Sequence, residues 1–175
     1  MKYIFVLFLI AILSSGCSVK QPEKKENIIT LKNNFDKNEV KWFKSKGNGN
    51  IKGNAKFKSK NGELRFGEGF GIELLPFSLY TEERLGKIYK NKKSGFVYVE
   101  DGVSKFIPNP EGYHDTIKTS CDKEGNFEFN NLPSGNYYVI AFMIWENQNV
   151  KTGGALMKKI VLSKSESKVI KMDNF

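Results

Sequence analysis

The sequence of 175 residues has little of what most metal sites and catalytic centres need: one histidine and two cysteines. Zinc sites usually combine several Cys and His ligands, and most nucleophilic triads place a histidine beside a Ser or Cys. His114 is the only histidine, and neither a C-x-x-C nor a G-x-S-x-G pattern occurs. The composition therefore predicts no metal, no cofactor and no catalytic residue, and we expect a protein that is not an enzyme.

Arginine is equally scarce, since lysine outnumbers it 26 to two. The formal net charge of +9 would suit a nucleic-acid partner, but residues 18–60 hold twelve Lys and four acidic residues. Residues 61–175 hold fifteen charges of each sign. Nucleic-acid modules usually carry their basic patch on the folded domain, so we predict no nucleic-acid partner. The Lys-rich segment is either a solvated spacer or a segment that lies near anionic lipid or polymer.

Long hydrophobic runs are absent too, and the longest apolar stretch, residues 3–13, is 11 residues long. A membrane-spanning helix needs about 20, whereas a run of this length suits the hydrophobic region of an export signal. The segment LSSGC, which ends at Cys17, resembles the lipobox of bacterial lipoproteins. That resemblance implies a signal peptide over residues 1–16, acylation of Cys17 and attachment to a membrane of the bacterial cell envelope.

The residue after Cys17 is Ser18 rather than Asp. In a host with two membranes, the lipoprotein resemblance then implies sorting to the outer membrane. The alternative is an ordinary secretory signal in which Cys17 is incidental. If Cys17 is acylated, Cys121 has no partner for a disulfide.

Residues 17–47 are polar and rich in Lys, Glu and Asn, which is typical of a flexible tether. Ile28, Leu31 and Phe35 fall at helical spacing, but so short a segment favours at most a weak helical turn. We therefore predict that the folded domain spans residues 48–175.

Period-two alternation of apolar and polar residues over 51–58 predicts a strand with one face on a core. Asn61-Gly62 then predicts a turn, and residues 70–75 predict a second strand that pairs with the first as a hairpin or near-hairpin. Residues 81–91 change to helical spacing, with Thr81 as the candidate cap. Further short strands are predicted at 96–99, 116–120, 126–129, 137–145, 155–162 and 168–172.

Short, evenly spaced strands of this kind favour a mainly β fold, a β-sandwich with one short helix. Residues 137–145 are apolar at both odd and even positions. This predicts a central strand that is covered on both faces.

The stretch from Cys121 to Val139, CDKEGNFEFNNLPSGNYYV, combines a tight turn, two inward aromatics, a plug at Leu132 and a second turn. It resembles the D-x-x-G-x-F-x-F-x-x-L-P-x-G-x-Y signature of carboxypeptidase regulatory-like domains, which are transthyretin-like sandwiches. The resemblance covers roughly residues 48–172 and implies seven or eight antiparallel strands, with residues 78–113 as an insertion. It implies little about activity, because such folds serve many roles.

Aromatic residues are concentrated in the predicted insertion. Exposed rings there would form a platform for sugars or a partner peptide. The alternative is that they pack the helix onto the sandwich. The candidate binding residues are Tyr80, Tyr89, Tyr98, Tyr113 and His114.

Three functions remain open from the sequence. The first is a non-enzymatic binding or structural lipoprotein whose insertion, residues 78–113, reaches an envelope protein or polysaccharide. The second is an accessory or chaperone-like module of a secreted enzyme or surface complex. The third is an enzyme acting on an envelope polymer, which would require a pocket around His114 with converging carboxylates.

Overall fold

The computed structural model describes residues 27–102 and 104–175. The predicted signal peptide, Cys17 and the beginning of the predicted tether lie outside these residues. The described residues form eleven strands and one α-helix. In chain order these are β1 (Ile28–Thr30), β2 (Gly49–Lys58), β3 (Leu64–Phe66), β4 (Gly71–Pro76), α1 (Leu79–Tyr89), β5 (Ser94–Tyr98), β6 (Lys105–Ile107), β7 (Ile117–Ser120), β8 (Asn126–Leu132), β9 (Gly135–Asn147), β10 (Val150–Leu162) and β11 (Ser167–Met172).

Two sheets enclose the main core. One has five antiparallel strands in the order β5-β10-β9-β4-β7. In the other, β2 pairs with β11 in parallel and with β8 and β3 in antiparallel fashion. The predicted mainly β sandwich with one helix is confirmed. The described strands outnumber the predicted seven or eight, and two of their pairings, β2 with β11 and β1 with β6, are parallel rather than antiparallel.

Strand β2 has the alternation that the sequence predicts. Ile51, Ala55 and Phe57 are fully buried and face the core. Gly53 lies on the same core-facing side of β2, and the ring of Phe127 fills the space beside it. A Cβ added at Gly53 would lie 2.2 Å from an atom of that ring. The aromatic side chain of β8 therefore requires glycine at this position of β2.

The predicted hairpin between residues 51–58 and 70–75 is wrong. The turn at Asn61-Gly62 does form, with Gly62 at φ 89°, but it joins β2 to β3. The chain then crosses to the other sheet, where β4 lies between β7 and β9. The short strand β3 was not predicted because all three of its residues are exposed, which leaves no alternation to detect.

Helix α1 begins two residues earlier than predicted, because Ser78 rather than Thr81 caps it. The backbone N–H of Thr81 donates to Oγ of Ser78 at 3.0 Å, and both side chains are buried. Glu82 in the first turn and Lys87 in the last match the helix dipole.

The stretch from Cys121 to Val139 folds as its pattern predicts. The carbonyl of Asp122 accepts a hydrogen bond from the N–H of Gly125 at 3.0 Å, which closes the first turn. Phe127, Phe129 and Leu132 are buried in the main core. Strand β9 is central, as predicted, but only its first half is covered on both faces, since Phe142 and Ile144 further along are 39% and 37% exposed.

Residues 27–47 pack on the sandwich, whereas the sequence predicted a free tether up to residue 47. Strand β1 pairs in parallel with β6, and no helical turn forms at Ile28. The side chains of Leu31 and Phe43 are 5% and 3% exposed. The few apolar residues of this polar segment thus anchor it, and the folded unit begins before residue 48.

Candidate binding site

The predicted insertion, residues 78–113, covers part of the outer face of the five-stranded sheet. Helix α1 and the segments around it pack on Tyr138 and Ile140 of β9 and form a second hydrophobic core. Its buried aromatic members are Tyr80, Tyr89, Phe106, Tyr113 and Tyr138.

Three of the four candidate binding tyrosines belong to this core. Tyr80 is fully buried, and Tyr89 and Tyr113 are 7% and 8% exposed. The rings of Tyr80 and Tyr113 meet edge to face at 5.0 Å between centroids. Burial raises the pKa of Tyr89 and of Tyr113 above the ordinary value for tyrosine. These rings hold the helix on the sandwich, although Tyr113 and Tyr89 each also line a surface cleft described below.

Arg84 links the helix to the loop before β7. Its guanidinium carbon lies 4.8 Å from the ring centroids of both Phe106 and Tyr113. Its Nη1 donates to the hydroxyl of Tyr80 at 2.9 Å and to Oδ1 of Asn109 at 2.8 Å. A guanidinium that is stacked and hydrogen-bonded in this way fixes the position of α1.

His114, the fifth candidate, is exposed. Its Nε2 lies 3.1 Å from Oδ1 of Asn109, and its ring contacts Tyr113 at 5.2 Å between centroids. The structure thus brings Tyr80, Tyr113 and His114 together around Arg84 and Asn109. Among the described residues, no group of three or more His, Cys, Asp or Glu side chains is placed to hold a metal ion.

The remaining candidate, Tyr98, lies in a cleft of about 420 Å³ beside β5. We call it the β5 cleft. It lies between the end of α1, the edge strand β5 and the segment that leads to β6. Its lining includes Lys87, Lys90, Phe96, Tyr98, Asp101 and Ser104.

Two aromatic residues of β5, Phe96 and Tyr98, belong to the lining of the β5 cleft, together with the apolar residues Ile88, Tyr89, Val97 and Phe106. Phe96 is 40% exposed, and its ring meets that of Tyr98 edge to face at 5.4 Å. Behind them, Phe57 of the main core contacts Tyr98 at 5.7 Å. The two cleft rings are therefore supported from within while one of them is open to solvent.

Charged groups line the β5 cleft at Lys87, Lys90 and Asp101, and Lys60 lies beside it, next to Tyr98. Nζ of Lys60 lies 5.1 Å above the ring of Tyr98 and pairs with the carboxylate of Asp101. This hydrogen bond raises the pKa of Lys60 above its ordinary value. Rings surrounded by charged groups of both signs suit a ligand that has apolar faces and a polar edge.

A second cavity, of about 250 Å³, lies where residues 35–44 fold against the sandwich. We call it the N-terminal cleft. Its floor is formed by Phe35, Val40, Phe43, Leu75 and Tyr113. Three lysines, Lys37, Lys41 and Lys44, line it as well. The sequence does not predict this cleft, because the polar, Lys-rich pattern of residues 17–47 is typical of a tether.

Cys121 is buried, and no disulfide joins it to another residue that the structure describes. Burial raises the pKa of its thiol to about 11, which keeps the thiol protonated near neutral pH. In the described residues, no helix is long and apolar enough to span a membrane.

Neither the family models nor the curated proteins contain a match to this chain. Among solved structures, the chain resembles a crystal structure named "putative carbohydrate binding protein" from Pseudomonas aeruginosa. The TM-score is 0.64 at 20% sequence identity, and the match covers 81% of this chain and 99% of the other. At this identity the likeness shows a shared fold.

Proposed function

We propose that this protein is a lipid-anchored envelope protein that binds carbohydrate in the β5 cleft and catalyses no reaction. The anchor is acylated Cys17, and in a host with two membranes the protein resides at the outer membrane. The partner is a polysaccharide of the envelope or its surroundings.

The exposed ring of Phe96 beside Tyr98 carries the proposal. Sugar rings present C–H groups on one face and hydroxyls around the edge. A site that binds them therefore combines an aromatic platform with polar neighbours. The β5 cleft offers both, because its lining combines Phe96 and Tyr98 with Lys87, Lys90, Asp101 and Ser104. The similarity in fold to the Pseudomonas aeruginosa protein, whose name refers to carbohydrate binding, supports the same ligand class.

The position of His114 favours binding over catalysis. An enzyme built on this residue would need carboxylates that converge on its ring. In the structure the imidazole is exposed and its hydrogen-bond partner is the side-chain amide of Asn109.

Affinity electrophoresis through gels that contain a soluble polysaccharide tests the proposal, with a β-glucan, a xylan, alginate and solubilised peptidoglycan as the panel. We expect at least one polymer to retard the wild type, and Phe96→Ala to weaken that retardation about tenfold through loss of ring stacking. Phe142→Ala is a matched control, because Phe142 is an aromatic of β9 that is 39% exposed, close to the 40% of Phe96, and lies outside the cleft.

Two results would contradict the proposal. One is a wild-type protein that migrates unchanged in every gel. The other is a loss of retardation in Phe142→Ala equal to that in Phe96→Ala, which would indicate non-specific adhesion. Shortening of the polymer during incubation would instead favour the enzyme hypothesis.

Acylation of Cys17 is tested by a separate experiment. Cells grown with labelled palmitate are expected to incorporate the label into the wild type and not into Cys17→Ala, because the thiol of Cys17 starts the acylation. The wild type should fractionate with membranes and the variant with the soluble fraction. Equal labelling of both proteins would remove the lipoprotein part of the proposal and leave carbohydrate binding untouched.

A further inference from the structure

The N-terminal cleft has an apolar interior. Its floor combines aromatic and aliphatic side chains from residues 35–43, from β4 and from the turn at Tyr113. Its volume of about 250 Å³ equals the liquid volume of about eight water molecules. An apolar body of about eight to ten non-hydrogen atoms therefore fits, and it would gain free energy by leaving water.

Positive charge surrounds this interior. Lys44 pairs with Asp115, and both residues line the cleft. Lys37 and Lys41 make no ion pair with any residue that the structure describes. Three lysines against one carboxylate leave an excess of two positive charges, and a ligand with one carboxylate would halve that excess.

The floor also disfavours a sugar. Sugar hydroxyls lose hydrogen bonds to water when they are buried, and each loss is costly unless the protein replaces it. Apart from the lysines and Asp115, the only polar side chains that line this cleft within the described residues are those of Thr81 and Tyr113. The apolar part of an amphipathic ligand requires no such replacement.

We infer that the N-terminal cleft is a second binding site, which takes a small amphipathic anion: a compact apolar body that carries one carboxylate. The apolar part lies on the floor, and the carboxylate pairs with Lys37 and Lys41 at the rim. The N-terminal cleft shares no lining residue with the β5 cleft, so this inference does not depend on carbohydrate binding.

Displacement of a fluorescent probe tests the inference. The protein is residues 17–175 with Cys17→Ser, which has no acyl chain to compete for the cleft. The probe is 2-naphthoate, a fluorescent aromatic carboxylate whose ring system has ten carbon atoms and so matches the apolar body that the cleft can hold. We expect the folded protein to change its fluorescence, octanoate to displace it, and neutral octanamide to bind at least tenfold more weakly than octanoate.

Variants locate the site. The double change Lys37→Glu with Lys41→Glu should weaken octanoate binding tenfold or more. Lys46→Glu with Lys58→Glu, a pair of exposed lysines outside the cleft with the same total charge change, should weaken it less than threefold. Val40→Trp, which fills the floor without a change in charge, should abolish probe binding while near-ultraviolet circular dichroism shows an intact fold.

Three outcomes would overturn the inference: octanamide competing as well as octanoate, the two double variants losing affinity equally, or Val40→Trp binding the probe like the wild type. The same variants separate this inference from the proposal of carbohydrate binding. Lys37→Glu with Lys41→Glu should still be retarded by the polysaccharide, and Phe96→Ala should still bind octanoate, so either proposal can fail alone.

Discussion

Glu82 makes two ion pairs, one that joins the helix to the sheet and one to the loop between α1 and β5. Its carboxylate lies 2.9 Å from Nζ of Lys159 on β10 and 3.3 Å from Nζ of Lys92. The side chain of Glu82 is only 20% exposed. The hydrogen bond from Lys159, aided by Lys92, holds the pKa of Glu82 below its ordinary value.

This lowered pKa predicts how stability depends on pH. The unfolded protein has an ordinary carboxyl with a pKa of about 4.3, so the native state favours the ionised form. The contribution of Glu82 is complete above that pH and is lost as the pH falls through the lower native pKa. We expect Glu82→Gln to lose about 1 kcal/mol of unfolding free energy at pH 7 and to approach the wild type as the pH falls below the native pKa of Glu82.

Urea denaturation at pH 7 and at low pH measures this difference. Glu39→Gln is the control, since Glu39 is exposed and makes no ion pair with any described residue. A destabilisation by Glu82→Gln that stays the same at both pH values would show that loss of packing, rather than charge, is responsible.

At the scale of elements, the sequence predicts best where the signals are local. The alternation in β2 and the turn at Asp122 both depend on neighbours within a few residues, and both are correct in the structure. Partner choice is not local. Asn61-Gly62 forms its turn, yet the strand that pairs across it is β3, and β11 joins β2 from 109 residues or more further along the chain. No short-range pattern encodes such a pairing.

Prediction of the β5 cleft from the sequence is limited for the same reason, because exposure of a ring depends on contacts between distant parts of the chain. The sequence places aromatics in residues 78–113, where the β5 cleft does form. The sequence cannot say which rings are exposed to solvent, because that depends on which face of the helix packs on the sheet and on which parts of β5 other elements cover. Tyr80 and Phe96 lie in the same insertion, yet Tyr80 is fully buried and Phe96 is 40% exposed. Position on an edge strand, rather than residue type, makes the difference.

At the scale of the whole molecule, residues 27–47 are part of the fold. Trp42 packs on Gly135, where a Cβ would lie 2.3 Å from the indole, and its ring meets Tyr137 at 5.2 Å. Leu31 and Phe43 are buried in the two hydrophobic cores. If Cys17 is the anchor, the chain takes ten residue-to-residue steps from it to Asn27, and even when fully extended these span only about 35 Å. The ligand clefts would then stay close to the membrane surface.

Truncation tests this extension of the fold. We compare the chain of residues 27–175 with that of residues 48–175 by thermal unfolding. The shorter chain loses Leu31 and Phe43, and a buried Leu or Phe contributes about 2–5 kcal/mol each, which is a large part of the usual total of about 5–15 kcal/mol. We therefore expect the 48–175 chain to melt roughly 10 to 15 °C lower than the 27–175 chain, or not to fold at all.

The 27–175 chain keeps both cores and should match residues 17–175 with Cys17→Ser within about 2 °C. Equal melting temperatures for the two truncated chains would mean that residues 27–47 are a tether after all, and the N-terminal cleft, which they help to build, would lose its support.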